Sequence, residues 1–248
     1  MRYRIDFSYD GTNFNGYQCQ PNLRTVQNEL EKAASYLNRQ TYTSVQSSGR
    51  TDKGVHALNQ VAHFDLDIDT TLDKIKRGLN SNLPEDIHVI KVTRVSEQFH
   101  ARFSAKKKEY IYKINTSEYN PIERNYIYQY NRPLDIDKMK QAIKYFEGTH
   151  DFTSFVSSED ERENKVRTIL KTNIKEKNGI IEISFQADGF MKYQVRNMVG
   201  LLIYIGNGKR EVHDVSKIIE AKDRTKSVKT APAEGLYLKK VWYKWEEK

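Results

Sequence analysis

The stretch Ser47-Ser48-Gly49-Arg50-Thr51-Asp52-Lys53-Gly54-Val55-His56-Ala57 crowds an arginine, an aspartate, a lysine and a histidine around two glycines. Asp and Gly form turns readily, but a turn needs neither Arg50 nor Asp52. Two residues apart in extended chain, their side chains share one face and can pair. A guanidinium beside a carboxylate lowers its pKa and fixes its geometry. An aspartate held ionised at the rim of a cleft can act as nucleophile or base. On spacing alone, the simpler reading is a structural ion pair.

His56 raises a hydrolytic or metal-assisted alternative, and its partners do not line up. The six histidines, at 56, 63, 88, 100, 150 and 213, include no HxxxH pair, and the single cysteine, Cys19, excludes both an intramolecular disulfide and a cysteine-rich zinc site. Asp65, Asp67 and Asp69 alternate along a strand edge and are expected to face water. His63 reads as part of that strand's polar face. There is no GxxxxGK[ST] loop and no GxGxxG after a strand, which argues against nucleoside triphosphate and dinucleotide chemistry. No metal and no cofactor are expected.

The elements that must position this loop follow from periodicity. Tyr3, Ile5, Phe7 and Tyr9 alternate with Arg2, Arg4, Asp6 and Ser8, a half-buried strand. Thr25 caps a helix carrying Val26, Leu30, Ala33, Ala34 and Leu37. Ala62, Phe64, Leu66 and Ile68 predict a second strand, Leu72, Ile75 and Leu79 a second helix, and "DIHVIKVTRV" a third strand. In the second half "KEYIYKI" is a strand, and Asp135 caps a helix with Ile136, Met139, Ile143 and Phe146. Asn178-Gly179 predicts a two-residue hairpin. A largely apolar helix runs from about Met191 to Ile205, a shorter one carries Val215, Ile218 and Ile219, and "GLYLKKVWYKW" closes as a strand. The fold class is therefore α+β, two packed halves with mostly antiparallel sheets forming a central cleft. The expected domains are 1–104, carrying the Asp52 loop, and 105–248, which completes the cleft, with the join near Phe103 to Lys108.

A chain of 248 residues with 38% hydrophobic and 30% charged residues can bury a core and is strongly solvated. Its longest apolar run, Met198 to Ile205, is too short to span a membrane, and "MRYRIDFSYD" has no signal-peptide core. A cytoplasmic location is expected. The net charge of +8 points to a polyanionic partner. Residues 1–104 hold 13 basic against 12 acidic residues, and residues 105–248 hold 28 against 21. Lys106, Lys107 and Lys108 interleave with Tyr110 and Tyr112 and suit a phosphate-lined channel; a solvated strand end is the plainer reading.

Beyond these readings, "GRTDKGVHA" resembles the signature of the TruA family of tRNA pseudouridine synthases. "YDGTNFNGYQCQPNLRTVQNELEKA", "FHARFSAKKKEYIYKI", "GTHDFTSF", "QVRNMVG" and "APAEGLYL" resemble further blocks of the family in the same order. The chain departs mildly: Ser48 stands where alanine is common, Lys53 where alanine is often found, and "LNQVAHF" varies a usual Gly-Gln-Val-Val.

The resemblance implies the pseudouridine synthase fold, with RRM- or ferredoxin-like halves. It implies isomerisation of uridine to pseudouridine at positions 38, 39 and 40 of the tRNA anticodon stem-loop, by a homodimer. Asp52 is then the nucleophile on a flipped-out uridine, Tyr110 stacks on its base and guards proton transfer, and Arg196 pairs with the aspartate. Arg50 would contact RNA backbone and assist extrusion, with His56, Lys106, Lys107 and Lys108 also on the RNA side. The same chemistry on ribosomal RNA, a non-catalytic RNA-binding protein and a metal-dependent nuclease using Asp52 and His56 are the alternatives.

Overall fold

Alternating apolar residues at the N-terminus form strand β1 (Arg2–Tyr9), with Tyr3, Ile5, Phe7 and Tyr9 all buried. This computed structural model describes residues 1–244. By its internal contacts the chain divides into two units, Met1–Lys106 with the residues from Leu238, and Lys107–Tyr237.

In the first unit β1 lies between two antiparallel partners, β3 (His56–Asp65) and β4 (Ile87–Arg94). The short β2 (Gln46–Ser47) pairs with the far end of β3, Gln46 opposite His63. Between these strands run α1 (Val26–Leu37) and α2 (Leu72–Asn82). Each begins at a threonine whose hydroxyl accepts an amide of the first turn: Thr25 from Asn28, Thr71 from Lys74. Val26, Leu30, Ala33 and Ala34 of α1 are buried, as are Ile75 and Leu79 of α2. Gly78 lets α2 approach α1, since a Cβ there would strike the side chain of Leu37.

Two expectations for β3 change. The ladder stops at Asp65, so Ile68 lies beyond it. His63 is 4% exposed rather than on a wet face, because the segment from Phe99 to Ser104 folds over it and Ala101 donates its amide to His63 Nδ1 at 3.1 Å. That cover comes from residues almost forty positions away, which strand alternation does not register.

The second unit is built on a four-stranded antiparallel order, β5 (Lys107–Asn115), β9 (Ile180–Ala187), β8 (Val166–Lys177) and β7 (Gly148–Asp151). One short parallel pairing adds β6 (Tyr128–Gln129) to β5. Asn178 and Gly179, at φ 53° and 75°, form the turn that joins β8 to β9. Helix α3 (Ile136–Ile143) is capped by Asp135, which accepts the Lys138 amide at 3.0 Å; α3 packs on α4 (Gln194–Gly206) and on β8. Phe146 follows α3 in a short 3-10 turn. Val215, Ile218 and Ile219 of α5 (Asp214–Ala221) are buried. The last strand, β10 (Leu236–Trp242), begins in the second unit and continues with residues counted in the first; Trp245 of the predicted closing strand lies outside the described residues.

Helix α4 starts three residues later than its apolar pattern suggests. Tyr193 precedes it in the left-handed region, at φ 65°, a conformation that costs a non-glycine residue roughly 1–2 kcal/mol. The Gln194 side chain accepts the Met191 amide at 3.0 Å and closes the turn.

Candidate active site

In the first unit the Asp52 loop connects β2 to β3 and is gripped from both flanks. On one side Ser48 donates its amide to the Val61 carbonyl at 2.7 Å, and its hydroxyl meets Gln60 Oε1 at 2.6 Å. Gln60 Nε2 donates to the Gly49 carbonyl at 2.9 Å. Gln60 is fully buried, so its amide fixes the loop's entry from inside the fold.

Next to Asp52, the Thr51 hydroxyl lies 2.8 Å from the phenol of Tyr9, and the Thr51 carbonyl accepts the Tyr17 amide at 3.1 Å. The Val55 amide donates to the Asp52 carbonyl at 3.2 Å, closing a turn in which Gly54 supplies φ 78°. The loop's back wall is the segment from Gly11 to Tyr17. A Cβ on Gly11 would overlap the Val55 carbonyl, and one on Gly16 would come within 3.0 Å of the Thr51 carbonyl. Two glycines far away in sequence thus let one backbone lie directly against another.

His56, at 2% exposure, is part of that wall. Its Nδ1 accepts the Gly11 amide at 3.0 Å and is 3.1 Å from Asp10 Oδ1. One ring nitrogen cannot accept from the amide and donate to the carboxylate at once. The amide hydrogen is fixed in place, so we assign the neutral ring with Nδ1 as acceptor. Asp52 itself is half-buried and Arg50 is exposed.

In the second unit Tyr110 lies on β5, 8% exposed, its ring 5.1 Å from that of Phe190 in an edge-on contact. Lys108, Tyr110 and Tyr112 follow at period two and share one face of the strand. The phenol of Tyr112 donates to the Pro232 carbonyl at 2.8 Å, and burial pushes its pKa up. Lys107 and Lys108 are half-buried; Lys106, the last residue of the first unit before β5, is exposed and donates its amide to the Trp242 carbonyl.

Arg196 sits in the first turn of α4 and is tied to the segment from Val228 to Pro232. Its Nε donates to the Ala231 carbonyl at 2.8 Å, and the Ala231 amide donates back to the Arg196 carbonyl at 3.1 Å. Its guanidinium lies 5.0 Å from the centre of the Tyr193 ring. Neighbouring Asn197 is fully buried: it donates to the Phe155 carbonyl at 2.7 Å and accepts from Thr230 at 2.6 Å and Arg224 at 3.1 Å. A Cβ on Gly200 would overlap the Lys229 carbonyl. The separate stretches "QVRNMVG" and "APAEGLYL" are therefore one packed unit around Arg196.

A family model described as tRNA pseudouridine synthase matches residues 7–104 and 142–244. The tRNA pseudouridine synthase A of Ligilactobacillus salivarius (strain UCC118) is 46% identical over 251 residues, covering 100% of this chain and 98% of that one. This chain belongs to the tRNA pseudouridine synthase family. The tRNA pseudouridine synthase A of Geobacillus sp. (strain WCH70) is 45% identical over 243 residues, covering 98% of each. That of Limosilactobacillus reuteri (strain DSM 20016) is 46% identical over 247, covering 98% of this chain and 96% of the other.

As a family member the chain is an enzyme, a uridine isomerase, of α+β architecture. Among the described residues no group of three or more His, Cys, Asp and Glu is arranged to hold a metal ion, and no helix is long and apolar enough to cross a membrane. Reading the sequence alone misses Tyr9, Gln60, Gly11 and Gly16 as supports of the Asp52 loop, and Asn197 and Thr230 as supports of Arg196. A polar residue inside a strand, such as Gln60, is the one signal available for any of them.

Proposed function

We propose that this chain converts uridine to pseudouridine at positions 38, 39 and 40 of the anticodon stem-loop of tRNA, with Asp52 as the nucleophile. The bond from ribose C1′ to N1 of the base breaks, the base turns, and a bond from C1′ to C5 forms. N1 gains a proton and C5 loses one, so the composition is unchanged and no electrons enter or leave. Asp52 attacks C1′ or opens a glycal route; both need its carboxylate ionised and held still.

The observation that carries this reading is the Asp52 turn in a chain of this family. Asp52 is half-buried, while Thr51 before it and Val55 after it are buried and hydrogen-bonded in place. Such a fixed backbone lets one acid meet one carbon repeatedly. We assign Arg196 the positive charge that keeps Asp52 ionised, and Tyr110 the ring that stacks on the extruded base. Stacking is worth about 1–3 kcal/mol per base, which offsets much of the few kcal/mol that extrusion costs. Arg50, exposed on the loop, is assigned to RNA backbone, and Lys106, Lys107 and Lys108 to phosphate. His56 acts behind the loop through Gly11. We further infer a homodimer working in the cytoplasm.

The test is to incubate the purified protein with an anticodon stem-loop and with ribosomal RNA fragments, then read carbodiimide-dependent primer stops. Stops at 38–40 of the stem-loop support the reading; stops confined to the ribosomal fragments transfer it to that RNA.

A further inference from the structure

The ring of Phe103 is 75% exposed, yet the segment carrying it is bound down at almost every group. The His100 amide donates to Ser104 Oγ at 3.1 Å, and the Ser104 amide donates to the His100 carbonyl at 2.9 Å. His100 Nδ1 accepts the amides of Arg102 and Phe103 at 3.1 and 3.3 Å, and its Nε2 lies 2.9 Å from Gln46 Oε1. The Tyr243 phenol donates to the Ala101 carbonyl at 2.7 Å.

The rings of Tyr243, Phe99, His63, His100 and Phe103 succeed one another with centroid spacings of 5.0, 6.1, 4.7 and 4.3 Å. Phe103 is the outer end of this series, and the exposed Arg102 places its guanidinium 5.7 Å from the same ring. None of the bonds that shape the segment uses the Phe103 side chain, so the fold does not require a phenylalanine there.

We propose that Phe103, flanked by Arg102, is a stacking platform for an unpaired base of the RNA substrate other than the uridine that reacts. The proposal rests on the tRNA reading above. A flat ring on a tied-down backbone beside a guanidinium is how proteins bind unpaired bases: the ring takes the base and the cation the adjoining phosphate. A protein partner would need a broader apolar surface, whereas the exposed neighbours here include Gln98, Arg102 and Lys106. The position also suits the reaction. His100 grips Gln46, six residues before Asp52, so the Gln46 and Asp52 backbones are at most about 22 Å apart, and the segment that carries Phe103 is tied to the start of the Asp52 loop. One RNA strand can reach both.

The test compares wild type, Phe103→Ala and Phe103→Trp in binding and turnover of an anticodon stem-loop, with melting temperature and sedimentation measured for each. We expect Phe103→Ala to bind at least about fivefold more weakly, to melt as wild type does and to keep its assembly state. Phe103→Trp should retain affinity, and the emission it adds should be quenched by RNA. Equal affinity in Phe103→Ala overturns the platform while leaving the isomerase reading intact, provided wild type makes pseudouridine. Loss of affinity that follows a change in sedimentation overturns it in favour of a contact between copies of the chain. A wild type that neither binds nor modifies the stem-loop overturns both.

Discussion

Tyr9 and Thr51, forty-two residues apart, share a hydrogen bond of 2.8 Å between their buried hydroxyls. Thr51 precedes Asp52, so the first strand of the fold holds the backbone on which the proposed nucleophile stands. Burial pushes the Tyr9 phenol well above its ordinary pKa, which keeps it protonated and able to donate across the working pH range. Tyr9→Phe is expected to cost about 1–2 kcal/mol of stability, through one unpaired buried hydroxyl. It should also lower kcat with KM little changed. Chemical denaturation and steady-state kinetics on the one variant check both.

Gly11 has no Cβ because the Val55 carbonyl occupies that space, and its amide is committed to His56. Gly11→Ala should destabilise the protein by about 1–3 kcal/mol through overpacking. Because the displaced segment is the wall of the Asp52 turn, turnover should fall further than tRNA affinity. Binding and activity measured below the lowered melting temperature separate the two.

Asn197 satisfies three partners from the interior of the second unit. Asn197→Ala leaves the Phe155 carbonyl, the Thr230 hydroxyl and the Arg224 guanidinium short of a bond, at a cost of about 2–4 kcal/mol. Arg196 depends on the same packing of α4 against residues 228–232. The variant should therefore lose activity along with stability, whereas Thr230→Ser, which keeps the hydroxyl, should stay near wild type.

Acid should weaken the fold through His63. Burial, then the nearby His100 and Arg2, lower its pKa from 6.5 to about 4. The unfolded chain takes up a proton at this residue below about pH 6.5 and the folded chain only below about pH 4, so stability falls as pH drops through that window. The expected loss from this group is about 2 kcal/mol between pH 7 and pH 5. Asp65, held below its ordinary pKa chiefly by its hydrogen bonds to Arg2, adds a further loss at lower pH. His63→Asn, which can still accept the Ala101 amide, should flatten the His63 part of the slope in denaturant titrations at the two pH values.

The elements of the fold were legible wherever one local rule decided them. Thr25 and Asp135 cap the helices they precede, and Asn178-Gly179 turns a hairpin, because capping and turn chemistry act within a few residues. The start of α4 was not legible, since a tyrosine in the left-handed region follows no propensity. His63 was misjudged because its cover comes from residues 99–104. The candidate residues could be named through the family resemblance, but the supports could not: Tyr9 reaches Thr51, Gly11 reaches His56 and Thr230 reaches Asn197 only after the chain has folded.

The most direct measurement is pseudouridine formation by Asp52→Asn on an anticodon stem-loop, with binding followed in parallel. The substitution keeps shape and removes charge. Turnover should disappear while affinity stays within about threefold of wild type, a difference of roughly 0.6 kcal/mol. A variant that still makes pseudouridine at the wild-type rate would contradict the assignment of the nucleophile, and with it the account of why the loop is built as it is.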